Sequence, residues 1–85
     1  MLERELTIVN KLGLHARAAA KVVNLLSGYK SLATLECRGR AVNAKSIMLA
    51  AGQGTRLTLK LEGPDADEAL AAAEALFANG FDEQD

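Results

Sequence analysis

Apolar and polar positions change their period several times along this chain, and each change marks an element. Leu6 and Ile8 alternate with Glu5 and Thr7, a period of two that predicts a strand from about Leu2 to Val9. Asn10 to Leu14 then turn around Gly13. From Ala16 the period lengthens, and Ala19, Val22, Val23 and Leu26 line one face of a helix. Ser27 and Gly28 close that helix, with Gly28 expected in the left-handed conformation common just past a helix end. Ala33, Leu35 and Cys37 alternate with Thr34 and Glu36 in a second strand. Arg38, Gly39 and Arg40 then read as a tight hairpin before a short third strand near Ala41 to Asn43.

Ser46 can cap a short helix that ends at Gly52, because its hydroxyl can accept from a first-turn amide. Between Arg56 and Glu62, Leu57, Leu59 and Leu61 point one way while Arg56, Thr58, Lys60 and Glu62 point the other, a strand with one buried and one wet face. Asp65 and Glu68 have the spacing of a capping box for the last helix, whose inward stripe is Ala66, Leu70, Ala73 and Phe77. Gly80 terminates it, and the acidic tail from Phe81 to Asp85 is expected to fray.

The order is strand, helix, strand, strand, helix, strand, helix (βαββαβα). Every strand is amphipathic, which predicts an α+β fold: an open-faced β-sandwich with a four-stranded antiparallel sheet covered on one face by three helices. A chain of 85 residues suits a single domain over residues 1–85, since two smaller units would bury too little surface to offset chain entropy. With two Phe, one Tyr and no Trp, the core must be aliphatic.

Charge and composition remove several functions. Ten basic and eleven acidic side chains leave a formal charge of −1, without the electrostatic footprint of a nucleic-acid binder. The first ten residues carry Glu and Arg where a secretory signal needs an apolar run, and no run approaches the roughly 18 residues of a membrane span. A cytoplasmic location away from membranes is expected. Cys37 is the single cysteine, which excludes an internal disulfide and suits a small hydrophobe in a core strand. One Cys and one His cannot close a zinc site, so no metal is expected. Ser27, Ser31, Ser46 and Cys37 lack the spacing of a nucleophile beside a base. Gly52 and Gly54 precede a strand rather than a helix, unlike a nucleotide-binding loop, and no cofactor is implied.

One candidate site remains. His15, the only histidine, stands at the start of the first helix. If it is the N-cap, the amides of Ala16, Arg17 and Ala18 have no helical acceptors and point toward its side chain. Those amides and the helix dipole form an anion site, and the Arg17 guanidinium can pair with phosphate through two parallel hydrogen bonds. An imidazole, an anion hole and an arginine are the parts needed to hold a phosphoryl group on histidine. A helix end is worth roughly 0.3–1 kcal/mol to an exposed anion, and up to ~2 in favourable geometry. That suits a carrier, which must also surrender the group.

The stretch from Gly13 to Val23, GLHARAAAKVV, and the stretch from Val42 to Met48, VNAKSIM, resemble the two signatures of HPr, the histidine-containing phosphocarrier family of the bacterial phosphoenolpyruvate-dependent phosphotransferase system. The resemblance runs along the whole chain and includes the element order. It implies that His15 receives phosphate on Nδ1 from enzyme I and passes it to IIA components. It further implies that Arg17 neutralises the phosphoryl charge, that Gly13 sets the turn presenting His15, and that the chain is a stoichiometric, monomeric carrier rather than a true enzyme. Ser46 matches the family's regulatory site, modified by HPr kinase/phosphorylase in some bacteria; its other role is simply that of an N-cap. Docking residues carried over from the family are Ala16, Ala20, Lys21, Asn24, Ser27, Ile47 and Met48. The sequence leaves open whether Ile47 and Met48 belong to the core or to an exposed patch.

Two departures stand out. Ala18 replaces a proline found in many members, which keeps the helix because a first-turn proline lacks only an unpaired N–H. After Met48 the chain runs about one helical turn shorter than is usual in the family, which bears on Ser46 and the docking surface but not on His15. Two alternatives remain: a paralogue in a regulatory or nitrogen-related phosphorelay, and a ferredoxin-like module that binds RNA or a peptide on its open sheet. Such a module needs aromatic or basic residues on that face, where Thr7, Thr34 and Thr58 stand instead.

Overall fold

The computed structural model describes residues 1–45 and 52–82. Its elements are β1 (Leu2–Thr7), α1 (Ala16–Ser27), β2 (Leu32–Cys37), β3 (Arg40–Asn43), β4 (Arg56–Glu62) and α2 (Ala66–Ala78), followed by a 3-10 turn (Gly80–Asp82). The strands form one sheet in the order β1-β4-β2-β3, antiparallel at every pairing. The expected architecture is therefore present, with two helices and a 3-10 turn among the described residues. The short helix expected from Ser46 lies outside the described residues.

Alternation fixes which face the helices cover. Leu57, Leu59 and Leu61 of β4 are buried together with Leu6, Ala33, Leu35 and Cys37 of the neighbouring strands. Against them pack Ala19, Val22 and Leu26 of α1 and Ala69, Leu70, Ala73 and Phe77 of α2. Arg4, on the covered side of edge strand β1, reaches across to Glu74 of α2 at 3.1 Å. The opposite face carries ion pairs: Lys60 Nζ lies 3.0 Å from Glu36 and 3.6 Å from Glu3, and Arg56 lies 3.9 Å from Glu5. Lys60 is held above its ordinary pKa, chiefly by the hydrogen bond to Glu36. A face whose cations are already paired offers little to nucleic acid.

The hairpin between β2 and β3 forms as its residues require, with Arg38 at φ 54° and Gly39 at φ 80°, the positive angles of a two-residue turn that follows strand twist.

Four local expectations need correcting. β1 ends at Thr7 rather than Val9, because buried Asn10 already turns the chain. Gly28 has φ −78°, so α1 closes without a left-handed residue; the amides of Gly28 and Tyr29 donate instead to the Leu25 and Leu26 carbonyls. Asp65 sits at the N-cap of α2 but makes no capping bond with its side chain. Its carboxylate instead accepts from the Lys30 amide at 2.8 Å, the Ser31 amide at 2.9 Å and Ser31 Oγ at 2.6 Å, and those bonds to a distant loop outcompete a local cap. The tail does not fray at its start: Phe81 is fully buried and meets Phe77 edge-on, with ring centroids 4.9 Å apart.

Candidate functional site

His15 stands where the loop after β1 meets α1, and that loop is tied at its base. Asn10 donates from Nδ2 to the Gly13 carbonyl at 3.0 Å, while the Gly13 amide donates back to the Asn10 carbonyl at 3.1 Å. Gly13 has φ 70°, a conformation that costs other L-residues roughly 1–2 kcal/mol. Leu14 is buried in the core. The next residue is thus held between an anchored leucine and a helix start.

A second turn braces the loop from the side. Ile8 donates to Thr55 at 2.9 Å and accepts from the Gly54 amide at 2.7 Å, and Gln53 Nε2 donates to the Val9 carbonyl at 2.9 Å. The sequence places the turn around Gly13 but not the Asn10 side-chain bond that ties it, nor the second turn. The Asn-x-x-Gly spacing of Asn10 and Gly13 was a usable turn signal, whereas the pairing of residues 52–55 with Ile8 and Val9 is non-local and has no local signature.

His15 is the N-cap of α1, with φ −108° and ψ −176°, and its Nδ1 accepts from the Arg17 amide at 3.2 Å. Its carbonyl accepts from Ala19 at 2.8 Å, the first bond of the helical ladder, so the amides of Ala16, Arg17 and Ala18 precede the ladder. Of these three, it is the Arg17 amide that meets the imidazole. An accepting Nδ1 carries its lone pair there and leaves the proton of the neutral ring on Nε2. The Nδ1 lone pair therefore faces the positive end of the helix.

The chain segment that carries His15 has charges of one sign. No Asp or Glu occurs between Leu6 and Leu35, while Lys11, Arg17, Lys21 and Lys30 all do. Of these, Lys11 and Arg17 flank His15 in the chain, whereas Lys30 lies past the far end of α1.

The other candidate residues fall in different places. Ala16, Arg17, Ala20, Asn24 and Ser27 are exposed on α1, while Ala18 is buried. Lys21 is half-buried, and its Nζ donates to the Phe81 carbonyl at 2.5 Å, a bond that ties α1 to the C-terminal turn. Ser46, Ile47 and Met48 lie outside the described residues. Among the described residues no group of three or more metal-ligating side chains occurs, and no helix is long and apolar enough to cross a membrane.

Comparison with known proteins gives a consistent result. Residues 2–79 match the family described as PTS HPr component phosphorylation site. The phosphocarrier protein HPr of Xylella fastidiosa (strain Temecula1) is 53% identical over 87 residues, covering 98% of each chain. An alignment of that length with about 83 residues of this 85-residue chain leaves about four positions where the relative alone has a residue, the same size as the shortening noted after Met48. HPr from Cupriavidus necator is 52% identical with the same coverage. The crystal structure of HPr from Thermoanaerobacter tengcongensis superposes with a TM-score of 0.92 at 41% identity, covering 99% of each chain.

Proposed function

The chain belongs to the HPr family of phosphotransferase-system phosphocarriers, and on that premise we propose that His15 is the residue that carries the phosphoryl group. The observation that supports this most is the Arg17 amide on Nδ1 at 3.2 Å. That bond aims the Nδ1 lone pair at the N-terminal turn of α1, against the Arg17 amide.

Phosphoryl transfer then has a simple local course. The Nδ1 lone pair attacks phosphorus, an N–P bond forms, and the bond from phosphorus to the donor atom breaks with its electron pair leaving on the donor. The proton on Nε2 stays with the ring. As Nδ1 becomes bonded, the Arg17 amide exchanges its acceptor from nitrogen to a phosphoryl oxygen, and the amides of Ala16 and Ala18 are the remaining donors of the same turn. Arg17 is exposed, and its guanidinium is the proposed partner of a second oxygen. Dipole and amides favour the loaded state by no more than about 2 kcal/mol, which leaves the group transferable.

As a member of this family the chain works with phosphotransferase-system enzymes; enzyme I is the proposed donor and IIA components the proposed acceptors, in the cytoplasm. A monomeric carrier is the proposed assembly. The exposed residues Ala16, Ala20, Asn24 and Ser27 supply the docking strip on α1, together with Ile47 and Met48. Ser46 is a candidate for a second phosphorylation by HPr kinase. A phosphate on Ser46 would add a charge of about −1.5 to −2, which would repel acidic partners.

Incubation with phosphoenolpyruvate and enzyme I tests the assignment. The chain should acquire an acid-labile phosphate that a His15→Ala variant does not; equal labelling of that variant would sink the assignment.

A further inference from the structure

The exposed large hydrophobic side chains among the described residues are Met1, Val9, Leu12 and Leu32. Two of these, Val9 at 46% exposure and Leu12 at 68%, fall in the loop that presents His15. An apolar side chain held out in water on a loop this firmly tied is not explained by folding. The loop's own bonds, Asn10 with Gly13 and Gln53 with Val9, keep it in place whether or not Leu12 is apolar.

We infer that Leu12, assisted by Val9, is an apolar anchor for the phosphoryl donor protein, seated in a recess beside the donor's phosphorylated residue. The inference rests on His15 being the phosphoryl acceptor. Transfer requires the reacting atoms to approach within about 3–3.5 Å, and three residues of chain keep Leu12 within about 10 Å of His15. A specific interface covers about 800 Å² of each partner, far more than a patch of that radius needs, so a protein docked on His15 covers this loop. The conformation described is the unloaded one, with Nδ1 accepting from Arg17, which is the form the donor meets. Because Lys11 and Arg17 flank this loop and no acidic residue lies between Leu6 and Leu35, the matching partner surface is an apolar recess rimmed by carboxylates. Apolar anchors of this kind concentrate binding energy near the centre of an interface while charges at the rim speed encounter.

Leu32 provides a matched control. It is 70% exposed and pairs with Glu62 at the end of β4, whereas the His15 loop leaves β1 at Thr7, which pairs with Arg56 at the start of β4. The two leucines thus sit at opposite ends of the sheet. Transfer rates from phosphoenolpyruvate through enzyme I, measured against concentration of this chain, should show KM raised about tenfold by Leu12→Ser and by Leu12→Gln, with kcat within about twofold of the parent. Leu32→Ser should leave both unchanged, and all three variants should keep the parental melting temperature. A KM for both Leu12 variants equal to that of the parent overturns the inference while leaving His15 in its role. So does a fall in kcat at constant KM, or a dimer in sedimentation that Leu12→Ser dissolves without altering transfer, since the occupant would then be a second copy. Labelling of His15→Ala as strong as the parent's would overturn the His15 reading and this inference with it.

Discussion

Asn10→Ala isolates the device that holds the histidine. Asn10 is almost fully buried, and its Nδ2 supplies a hydrogen bond to the Gly13 carbonyl while Gly13 itself is buried. Removing the donor strands a buried carbonyl, at a cost of about 1–3 kcal/mol. The substitution keeps the β-carbon, which packs so near the C-terminal turn that a Cβ built on Gly80 would lie 3.3 Å from it. The β-carbon contact with that turn is therefore kept, and what is lost is the carboxamide and its hydrogen bond. For a domain of this size each kcal/mol moves the melting temperature by about 4–8 °C, so a loss of about 2 kcal/mol lowers it by roughly 8–16 °C. Thermal melting by circular dichroism, paired with urea unfolding at unchanged m-value, measures the effect. Phosphorylation by enzyme I should slow as well, because His15 loses the support that aligns Nδ1. A fall of less than about 3 °C would refute the claim that this bond secures the loop.

Asp65 gives a pH signature: the Ser31 hydroxyl, then the Lys30 amide, hold its carboxyl below the ordinary value of 3.8. A carboxyl depressed in the folded state stabilises it above its unfolded pKa and loses that contribution as pH falls through the folded one. Asp65→Asn should accordingly be less stable than the parent at pH 7, with the gap closing below pH 3.8; urea midpoints across pH that stay parallel would contradict this. Phe81→Ala should cost about 3–5 kcal/mol, readable as a large drop in urea midpoint, whereas a frayed tail would show almost none. Lys21→Met removes the bond to the Phe81 carbonyl and should lower stability by about 1 kcal/mol, with a smaller effect on phosphotransfer than docking alone would give.

Much of this was legible in the chain because period, turn chemistry and capping agreed with one another. The alternation of Leu57, Leu59 and Leu61 placed β4, the Arg38-Gly39-Arg40 stretch marked the hairpin, and the amphipathic strands predicted one open face. His15 as an N-cap was likewise local information. What escaped was non-local. Asp65 has the spacing of a cap, yet its carboxylate serves Ser31 and Lys30, 34 and 35 residues away. Phe81 and Asp82 belong to an acidic terminal stretch that composition assigns to solvent, but Phe77 offers Phe81 a buried aromatic neighbour one helical turn back. Lys21 reads as a solvated docking cation until Phe81 brings a carbonyl within reach. In each case a side chain was diverted from its local role by a partner that only the fold supplies.

The central claim is that Nδ1 of His15, aimed at the amide of Arg17, takes the phosphoryl group. Nitrogen-15 and phosphorus-31 NMR of the chain loaded from phosphoenolpyruvate through enzyme I tests it directly. Phosphorus bonded to Nδ1 of His15 and a shifted Arg17 amide resonance, as its acceptor changes, are expected; phosphorus on Nε2, or on any residue other than His15, would contradict the assignment.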